Sequence, residues 1–306
     1  MPDDATPTPT ADPAFLPHYR YLRALAYRML GSRAEAEDVV QDAWLRWQAA
    51  DRAGVENVRA FLSQTVTHLC LDRLQSARAR REQYVGVWLP EPLVDEDFHP
   101  GPEVATEYAQ EVSMAFMLAL ERLSPLERAA FLLHDVFDLD FDEVARRLQR
   151  SPASVRQLAS RARQHVRAEH VRREVAAEEG ERLLRAFGMA LARGDLDALA
   201  RTLTDDAEFL SDGGGVVTAV PKPLHGAERI AKALLGFFRL ADWSRTRFQE
   251  VRINGLHGWL LHDLNGTPIQ TLALEPASDG RIGRIYVVRN PHKLQHLKPG
   301  AVAGAG

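Results

Sequence analysis

The sequence has little of what several common classes of protein depend on. Cys70 is the single cysteine in 306 residues, which excludes an internal disulfide and any zinc site built from several thiolates. No apolar run reaches the roughly 20 residues of a membrane-spanning helix, and the N-terminus lacks the basic-then-apolar order of a signal peptide. The net charge is only −4, which excludes a basic protein that coats nucleic acid along its whole length. We therefore expect a cytoplasmic protein that has no membrane segment, metal or cofactor.

Two short helices with a tight connection are predicted between residues 139 and 167. Asp140 and Glu143 have the spacing of a capping box for the first helix, and Ser151 with Pro152 can open the second. The outer face of the second helix carries side chains suited to phosphates and base edges in a major groove: Ser154, Arg156, Gln157, Ser160, Arg161, Arg163 and Gln164. The pattern is typical of a helix-turn-helix, and a solvated basic surface helix is the alternative interpretation.

An acidic helix is predicted near the front of the chain. Ser32 and Glu35 have capping-box spacing, and Glu35, Asp38 and Asp42 then recur at steps of three and four residues. Aligned carboxylates repel one another, so charge alone favours a solvated acidic face. A docking surface for a basic partner helix is the functional alternative.

A further helix is predicted from residue 58 to residue 81. His68 and Asp72 lie one turn apart on it, and a cationic run that begins at Arg73 follows. Asn57 ends the loop that precedes this helix. A polar pair beside a basic cluster can contact bases and phosphates together, although such a pair is more often an ordinary surface feature.

Residues 85–102 have the composition of an extended linker. Pro90 and Pro92 fix their own φ angles and restrict the residues before them. Trp88 and Leu93 would be unusual in a solvated tether. We therefore expect this segment to pack against a domain.

The last third of the chain has a different pattern. Asn-Gly or Asp-Gly pairs at residues 254–255, 265–266 and 279–280 separate apolar runs, which is typical of antiparallel hairpins. Helices are predicted at 181–192 and 227–240, ahead of these runs. Helices followed by an antiparallel meander predict an α+β cone.

Two blocks of the chain resemble bacterial extracytoplasmic-function (ECF) sigma factors. Ser32–Trp47 is similar to their domain 2, and Leu123–Arg167 is similar to their domain 4. The resemblance implies a promoter-specificity subunit of RNA polymerase, with the β′ and β subunits of the core enzyme and promoter DNA as partners. It implies that Glu35, Asp38 and Asp42 bind a coiled coil of β′ and that the second helix of the helix-turn-helix lies in the −35 major groove. The residues that it implies for holding the melted −10 strand are Asn57, His68, Asp72 and Arg73.

The C-terminal third resembles the SnoaL-like fold. Three motifs of the chain are similar to those of the sigma subgroup that carries such an extension: Trp88–Leu93, Asp212–Gly215 and Asn290–Leu294. This chain has Val216 and His292 where that subgroup has a lysine and an aspartate. The resemblance implies a built-in regulator that replaces a separate anti-sigma factor. The residues that it implies for regulation are Trp88, Pro90 and Pro92 of the linker, Asp212, Gly213, Gly214 and Gly215 of a glycine turn, and Asn290, Pro291 and Lys293 near the end.

The predicted organisation is a disordered tail (1–13), sigma domain 2 (14–84), the linker (85–102), sigma domain 4 (103–172), a SnoaL-like domain (176–297) and a second disordered tail (298–306). A ligand-responsive regulator that binds duplex DNA unaided is one alternative, and a small ligand in the cone is left open. An enzyme with a DNA-binding leader is less favoured, because no local spacing pairs its candidate acid–base residues Asp206, Asp212, His225, His257 and His262.

Overall fold

The computed structural model describes residues 12–82, 84–94, 113–169 and 177–297. The chain divides into two compact units. The helical unit contains the described residues of 1–82 and 115–170, and the sheet unit contains those of 83–114 and 171–306. No helix among the described residues is long and apolar enough to cross a membrane.

Three helices form the front of the helical unit: α1 (Tyr19–Leu30), α2 (Arg33–Ala49) and α3 (Val58–Glu82). Gly31 ends α1 at a φ of 69°, a left-handed conformation that glycine adopts without a steric cost. The Ser32 hydroxyl then caps α2 by accepting a hydrogen bond from the Glu35 amide at 3.2 Å. Trp44 and Trp47 of α2 are both 2% exposed, so α2 supplies much of this core.

The rear part of the unit, as far as the structure describes it, contains the α-helices α4 (Met114–Glu121), α5 (Pro125–Phe131), α6 (Phe141–Leu148) and α7 (Pro152–Glu169). A complete capping box between Ser124 and Glu127 opens α5. The sequence predicts one continuous helix from here to about residue 137. The structure is helical over this range, and its last part (Leu132–Val136) is a π-helical turn and not α-helix. A helix is also predicted from Glu103 to Leu123; residues 103–112 lie outside the described residues, and α4 lies within the remainder of that range.

The front and rear helices of this unit share a core. Arg128 is 2% exposed, and its guanidinium donates to the Met29 carbonyl at 2.6 Å and to Glu121 at 2.8 Å. Tyr21 of α1 meets Phe137 edge to face at 5.0 Å. The contacts of Arg128 with Met29 and of Tyr21 with Phe137 join residues far apart in the sequence.

The sheet unit contains α8 (Ala177–Arg193), α9 (Leu196–Arg201), β1 (Leu203–Asp212), β2 (Leu224–His225), α10 (Ala227–Leu240), β3 (Arg247–Ile253), β4 (Leu256–His262), β5 (Pro268–Pro276), β6 (Ile282–Val288) and α11 (Pro291–Leu294). The strand order is β2-β1-β6-β5-β4-β3. Strands β3 to β6 form the predicted antiparallel meander. Helices α8 to α10 pack on one face of the sheet through residues such as Phe187, Phe209, Ile230 and Ile285.

The sequence does not predict β1 and β2. Strand β1 runs parallel to β6, with Asp212 opposite Val288, so the sheet is mixed. Acidic residues at 205, 206 and 208 weaken the hydrophobic alternation of β1. Its partner lies some 80 residues further along the chain, and local pattern carries no signal for such a pairing.

Candidate functional site

The acidic face of α2 consists of Glu35, Asp38 and Asp42. The Asp38 and Asp42 side chains are 73% and 45% exposed. Arg73 of α3 spans this face: its guanidinium lies 2.8 Å from Asp42 and 3.7 Å from Asp38, and it donates to the Glu35 carbonyl at 2.9 Å. The structure thus places Arg73 with the acidic face, where it neutralises part of the negative charge.

The remaining residues predicted for the −10 strand do not form one cluster. Asn57 caps α3 by accepting from the Ala60 amide at 2.9 Å. His68 follows 11 residues later, about 16 Å along the helix axis. Asp72 lies one turn beyond His68 and is exposed. The cationic side chains after Ser76 that continue this run lie outside the described residues.

The side chain of His68 is covered by the rear helices of the same unit. Its Nε2 atom lies 2.7 Å from the carbonyl oxygen of Arg147 on α6, so the ring donates to that carbonyl in the Nε2–H tautomer. Arg147 is itself 5% exposed and pairs with Glu143. In this conformation His68 cannot use Nε2 to contact a base.

The outer face of α7 is largely open. Val155, Ala159, Ala162 and Val166 are buried, and every predicted DNA-contacting residue is exposed or half-buried. Arg156 and Arg163 differ from the others because their guanidinium carbons lie 5.4 Å and 6.0 Å from the ring centre of Phe141 on α6.

Asp135 is a charged neighbour of α7 that sequence reasoning misses. It lies in the π-helical turn, and its carboxylate is 2.5 Å from Nε of Arg163. The two residues are 28 positions apart, and only the packed tertiary structure brings them together.

The linker is held on the sheet unit by a buried carboxylate. Asp212 is 0% exposed and ends β1. It accepts hydrogen bonds from the Tyr84 hydroxyl at 2.6 Å, the Leu89 amide at 2.8 Å, the Gly214 amide at 2.9 Å and the Lys293 ammonium at 2.7 Å. These four donors satisfy the carboxylate, which would otherwise be costly to bury.

Lys293 completes this arrangement from α11. Its ammonium also donates to the Leu89 carbonyl at 2.5 Å and lies 4.2 Å from the Trp88 ring centre and 5.1 Å from that of Tyr84. Such cation–π contacts strengthen when they are desolvated. Burial, together with the hydrogen bond to Asp212, raises the pKa of Tyr84, so its hydroxyl stays protonated as a donor.

The glycine turn allows the linker and the C-terminal motif to approach closely. Gly214 has a φ of +64°, and a Cβ there would lie 2.2 Å from the Asn290 amide nitrogen. A Cβ on Gly213 would lie 2.3 Å from the Val217 carbonyl oxygen, and one on Gly215 would lie 3.1 Å from Val85. The turn therefore needs residues without side chains.

The rest of the linker is also fixed to the sheet unit. Pro90 and Pro92 are buried, and Leu93 exchanges hydrogen bonds with Asn254 at 3.0 Å and 2.8 Å. Asn290 caps α11, where Pro291 is the first residue, and donates to the Tyr84 hydroxyl at 2.9 Å. We call residues 84–94, with Asp212, Asn254, Asn290 and Lys293, the linker clamp. Val216 and His292 are exposed.

Asp212, one of the candidate acid–base residues of an enzyme, accepts its hydrogen bonds within the linker clamp. His225 of β2 lies 3.4 Å from Glu208, its partner across the β1–β2 pairing. Glu208 pairs with Arg284 at 2.9 Å, and Arg284 lies 3.6 Å from Glu275. Burial raises the pKa of Glu275 and that of Tyr286, which donates to it. Among the described residues, no three histidines, cysteines or acids are placed to hold a metal ion.

Comparison with known proteins identifies the class of this chain. Residues 14–80 match the family described as Sigma-70 region 2, and residues 113–166 match Sigma-70, region 4. The chain is 36% identical over 283 residues to the ECF RNA polymerase sigma factor SigJ of Mycobacterium tuberculosis, covering 90% of each chain. It is 33% identical to the probable ECF RNA polymerase sigma factor SigI of that organism, covering 93% of this chain and 95% of the relative.

The fold agrees with these matches. The crystal structure of Mycobacterium tuberculosis SigJ superposes with a TM-score of 0.71 and 32% sequence identity, covering 91% of this chain and 97% of SigJ. The protein belongs to the ECF sigma factors of RNA polymerase, and it binds core polymerase and promoter DNA as members of that family do. The predicted fold, two helical sigma domains followed by an α+β SnoaL-like domain, is confirmed.

Proposed function

We propose that the sheet unit regulates this sigma factor through the linker clamp. The observation that carries the proposal is the Asp212–Lys293 ion pair, 0% and 10% exposed, which fixes to the sheet unit the segment that joins the two sigma regions. A buried pair with this many hydrogen bonds gives a specific attachment point that can be either made or broken.

The chain length explains how such a clamp could control promoter binding. With residues 84–94 fixed, residues 95–112 and residues 170–176 connect the sheet unit to the helices of region 4. Release would free the 11 residues 84–94 of this connection, which can span about 36 Å at 3.3 Å per residue. The clamp therefore limits how far the region-2 and region-4 helices can separate.

The packing of the helical unit supports an inhibitory role for this limit. His68 donates to α6 at 2.7 Å, and Arg128 ties α5 to α1 through a buried bond of 2.6 Å. Region 2 and region 4 must part before His68 can meet a DNA base. A longer tether makes that separation easier.

We further propose roles for individual residues. The acidic face of α2 contacts the β′ subunit of core polymerase, and Asp38 is its most accessible carboxylate. The α7 face lies in the −35 major groove. Asn57, His68 and Asp72 contact the −10 strand in the opened state. Arg73 supports the acidic face, because its three contacts lie there.

Run-off transcription with core polymerase tests the proposal, on a promoter that the wild-type holoenzyme selects from a random-sequence pool. We expect Asp212→Asn to increase initiation at limiting sigma concentration, since it weakens the clamp. Val216→Ala is the matched control, because Val216 lies in the same turn and is 56% exposed. Lower initiation by Asp212→Asn, with protein that remains folded, would contradict an inhibitory clamp.

A second variant tests the proposed −10 contact of His68 independently of the linker clamp. His68→Ala removes the bond to Arg147 in the described conformation and also removes the proposed base contact. We expect it to bind core polymerase as the wild type does but to bind a −10 single strand more weakly within the holoenzyme. Unchanged strand binding would remove His68 from the −10 site.

A further inference from the structure

Asp135, which lies outside α7, forms an ion pair with Arg163 on that helix. Asp135 and Arg163 form an ion pair of 2.5 Å, and their side chains are 23% and 32% exposed. The contact involves only Nε of Arg163, so the outer nitrogens of the guanidinium point away from that bond and can still donate to a DNA phosphate.

Aromatic packing fixes the same side of α7. The ring of His134 stacks on Phe141 with centres 3.7 Å apart, and His134 Nδ1 lies 2.7 Å from the Leu139 carbonyl oxygen. Phe141 in turn lies beside the guanidinium groups of Arg156 and Arg163. His134 and Asp135 both belong to the π-helical turn (Leu132–Val136), a feature that is frequent at functional sites.

Helical geometry separates these two arginines from the centre of the exposed face. Side chains advance by about 100° per residue, so Arg156 and Arg163, seven residues apart, share one flank. Gln157 and Gln164 lie about 100° further round, opposite the buried residues. The centre of the face meets base edges in a major groove, while the flank faces a phosphate backbone.

We infer that Asp135 is a positioning residue for promoter binding: it holds Arg163 on the flank of α7 and offsets the charge of that arginine. Arg163 then contacts one phosphate of the promoter in a fixed orientation. It adds little general attraction to DNA, since the Asp135–Arg163 pair carries no net charge. The inference rests on the proposed placement of α7 in the −35 groove. Its consequence is that Asp135 increases the preference for the correct promoter over other DNA.

The test uses the holoenzyme and two duplexes. One is the duplex that the wild-type holoenzyme selects from a random-sequence pool, and the other is its scrambled version. Affinity is measured against salt for wild type, Asp135→Asn, Arg163→Gln and the double variant. Core polymerase is common to all arms, so differences report on the substituted residues. Asp138→Asn is the matched control, because it removes an exposed acid three residues away.

Each DNA phosphate that a cationic side chain neutralises releases counterions and steepens the slope of log affinity against log salt by about 0.9. We expect Asp135→Asn to steepen the slope on scrambled DNA by about 0.9, so that its affinity falls about 3.5-fold more than that of wild type between 50 and 200 mM salt. The ratio of selected to scrambled affinity should fall. In the Arg163→Gln background the same change should have little effect on the slope.

The outcomes are distinguishable. An unchanged slope for Asp135→Asn, or an equal change in the Arg163→Gln background, would overturn the inference. Weaker binding to both duplexes at an unchanged slope would show a purely structural role and would also overturn it. If the wild-type holoenzyme prefers no sequence in the pool, the proposed function fails instead. An effect as large for Asp138→Asn would also overturn the inference, because it would not depend on the contact between Asp135 and Arg163.

Discussion

Asp212→Asn should release the linker while leaving the shape of the side chain unchanged. One carboxylate oxygen accepts from Tyr84 and Gly214, and the other accepts from Leu89 and Lys293. Whichever way an asparagine amide is turned, its NH₂ group would face two of these donors. The substitution therefore breaks hydrogen bonds and removes the partner of a lysine that is 10% exposed.

Removing one partner of a buried ion pair costs about 3–5 kcal/mol. Because Lys293 is shielded from solvent, little of this cost is recovered by hydration. The bond from the Leu89 amide to Asp212, at 2.8 Å, reports directly on the clamp. A loss of about 3 kcal/mol corresponds to roughly 150-fold faster exchange of that amide, at 1.36 kcal/mol per tenfold.

Hydrogen exchange in the full-length protein measures this effect. The double variant Asp212→Asn/Lys293→Met removes both charges, and we expect it to recover part of the protection, because no buried charge is then left unpaired. Val216→Ala should leave exchange at Leu89 unchanged. Exchange of Leu89 in Asp212→Asn within about threefold of wild type would refute the reasoning.

Four other outcomes are expected. Gly214→Ala should destabilise the sheet unit by about 1–2 kcal/mol through its left-handed φ alone, with more from the clash with Asn290, and chemical denaturation would detect it. Cys70 should not react with a thiol reagent in the native protein, because burial raises its pKa, and reaction should track unfolding; fast labelling of folded protein would contradict this. Burial also raises the pKa of Glu275 above its usual value of 4.5, so the folded state binds that proton more tightly and stability is lost as the pH rises from the unfolded-state pKa through the higher folded-state pKa; Glu275→Gln should reduce this loss of the denaturation midpoint, and an unaltered pH profile would count against it. Arg156→Ala should weaken binding to the −35 duplex by about 1–3 kcal/mol if it reads a base, and much less if it contacts only phosphate.

Much of the helical half follows from local rules. Ser32, Ser124 and Asp140 each accept a hydrogen bond from the amide three residues on, and these caps depend only on neighbouring residues. The hydrophobic spacing of α6 and α7 likewise predicts which side chains are buried. The helix-turn-helix could therefore be predicted from the sequence.

The grouping of α3 residues into surfaces could not be predicted in the same way. Arg73 follows His68 by five residues, which is a net rotation of about 140° around the helix. It therefore faces α2, while His68 faces α6. Proximity in sequence on a long helix does not place two side chains at one surface.

The sequence by itself determined the helices, their caps and the hairpins of the C-terminal meander, because each depends on residues close together in the chain. The motifs that take part in the linker clamp came from the resemblance to a sigma subgroup. Only the tertiary structure decided that β1 pairs with β6, that Asp212 binds Tyr84 and Lys293 at once, and that Asp135 holds Arg163. These contacts join distant residues. They form because burial of the surrounding apolar side chains brings those residues together, and no local pattern encodes them.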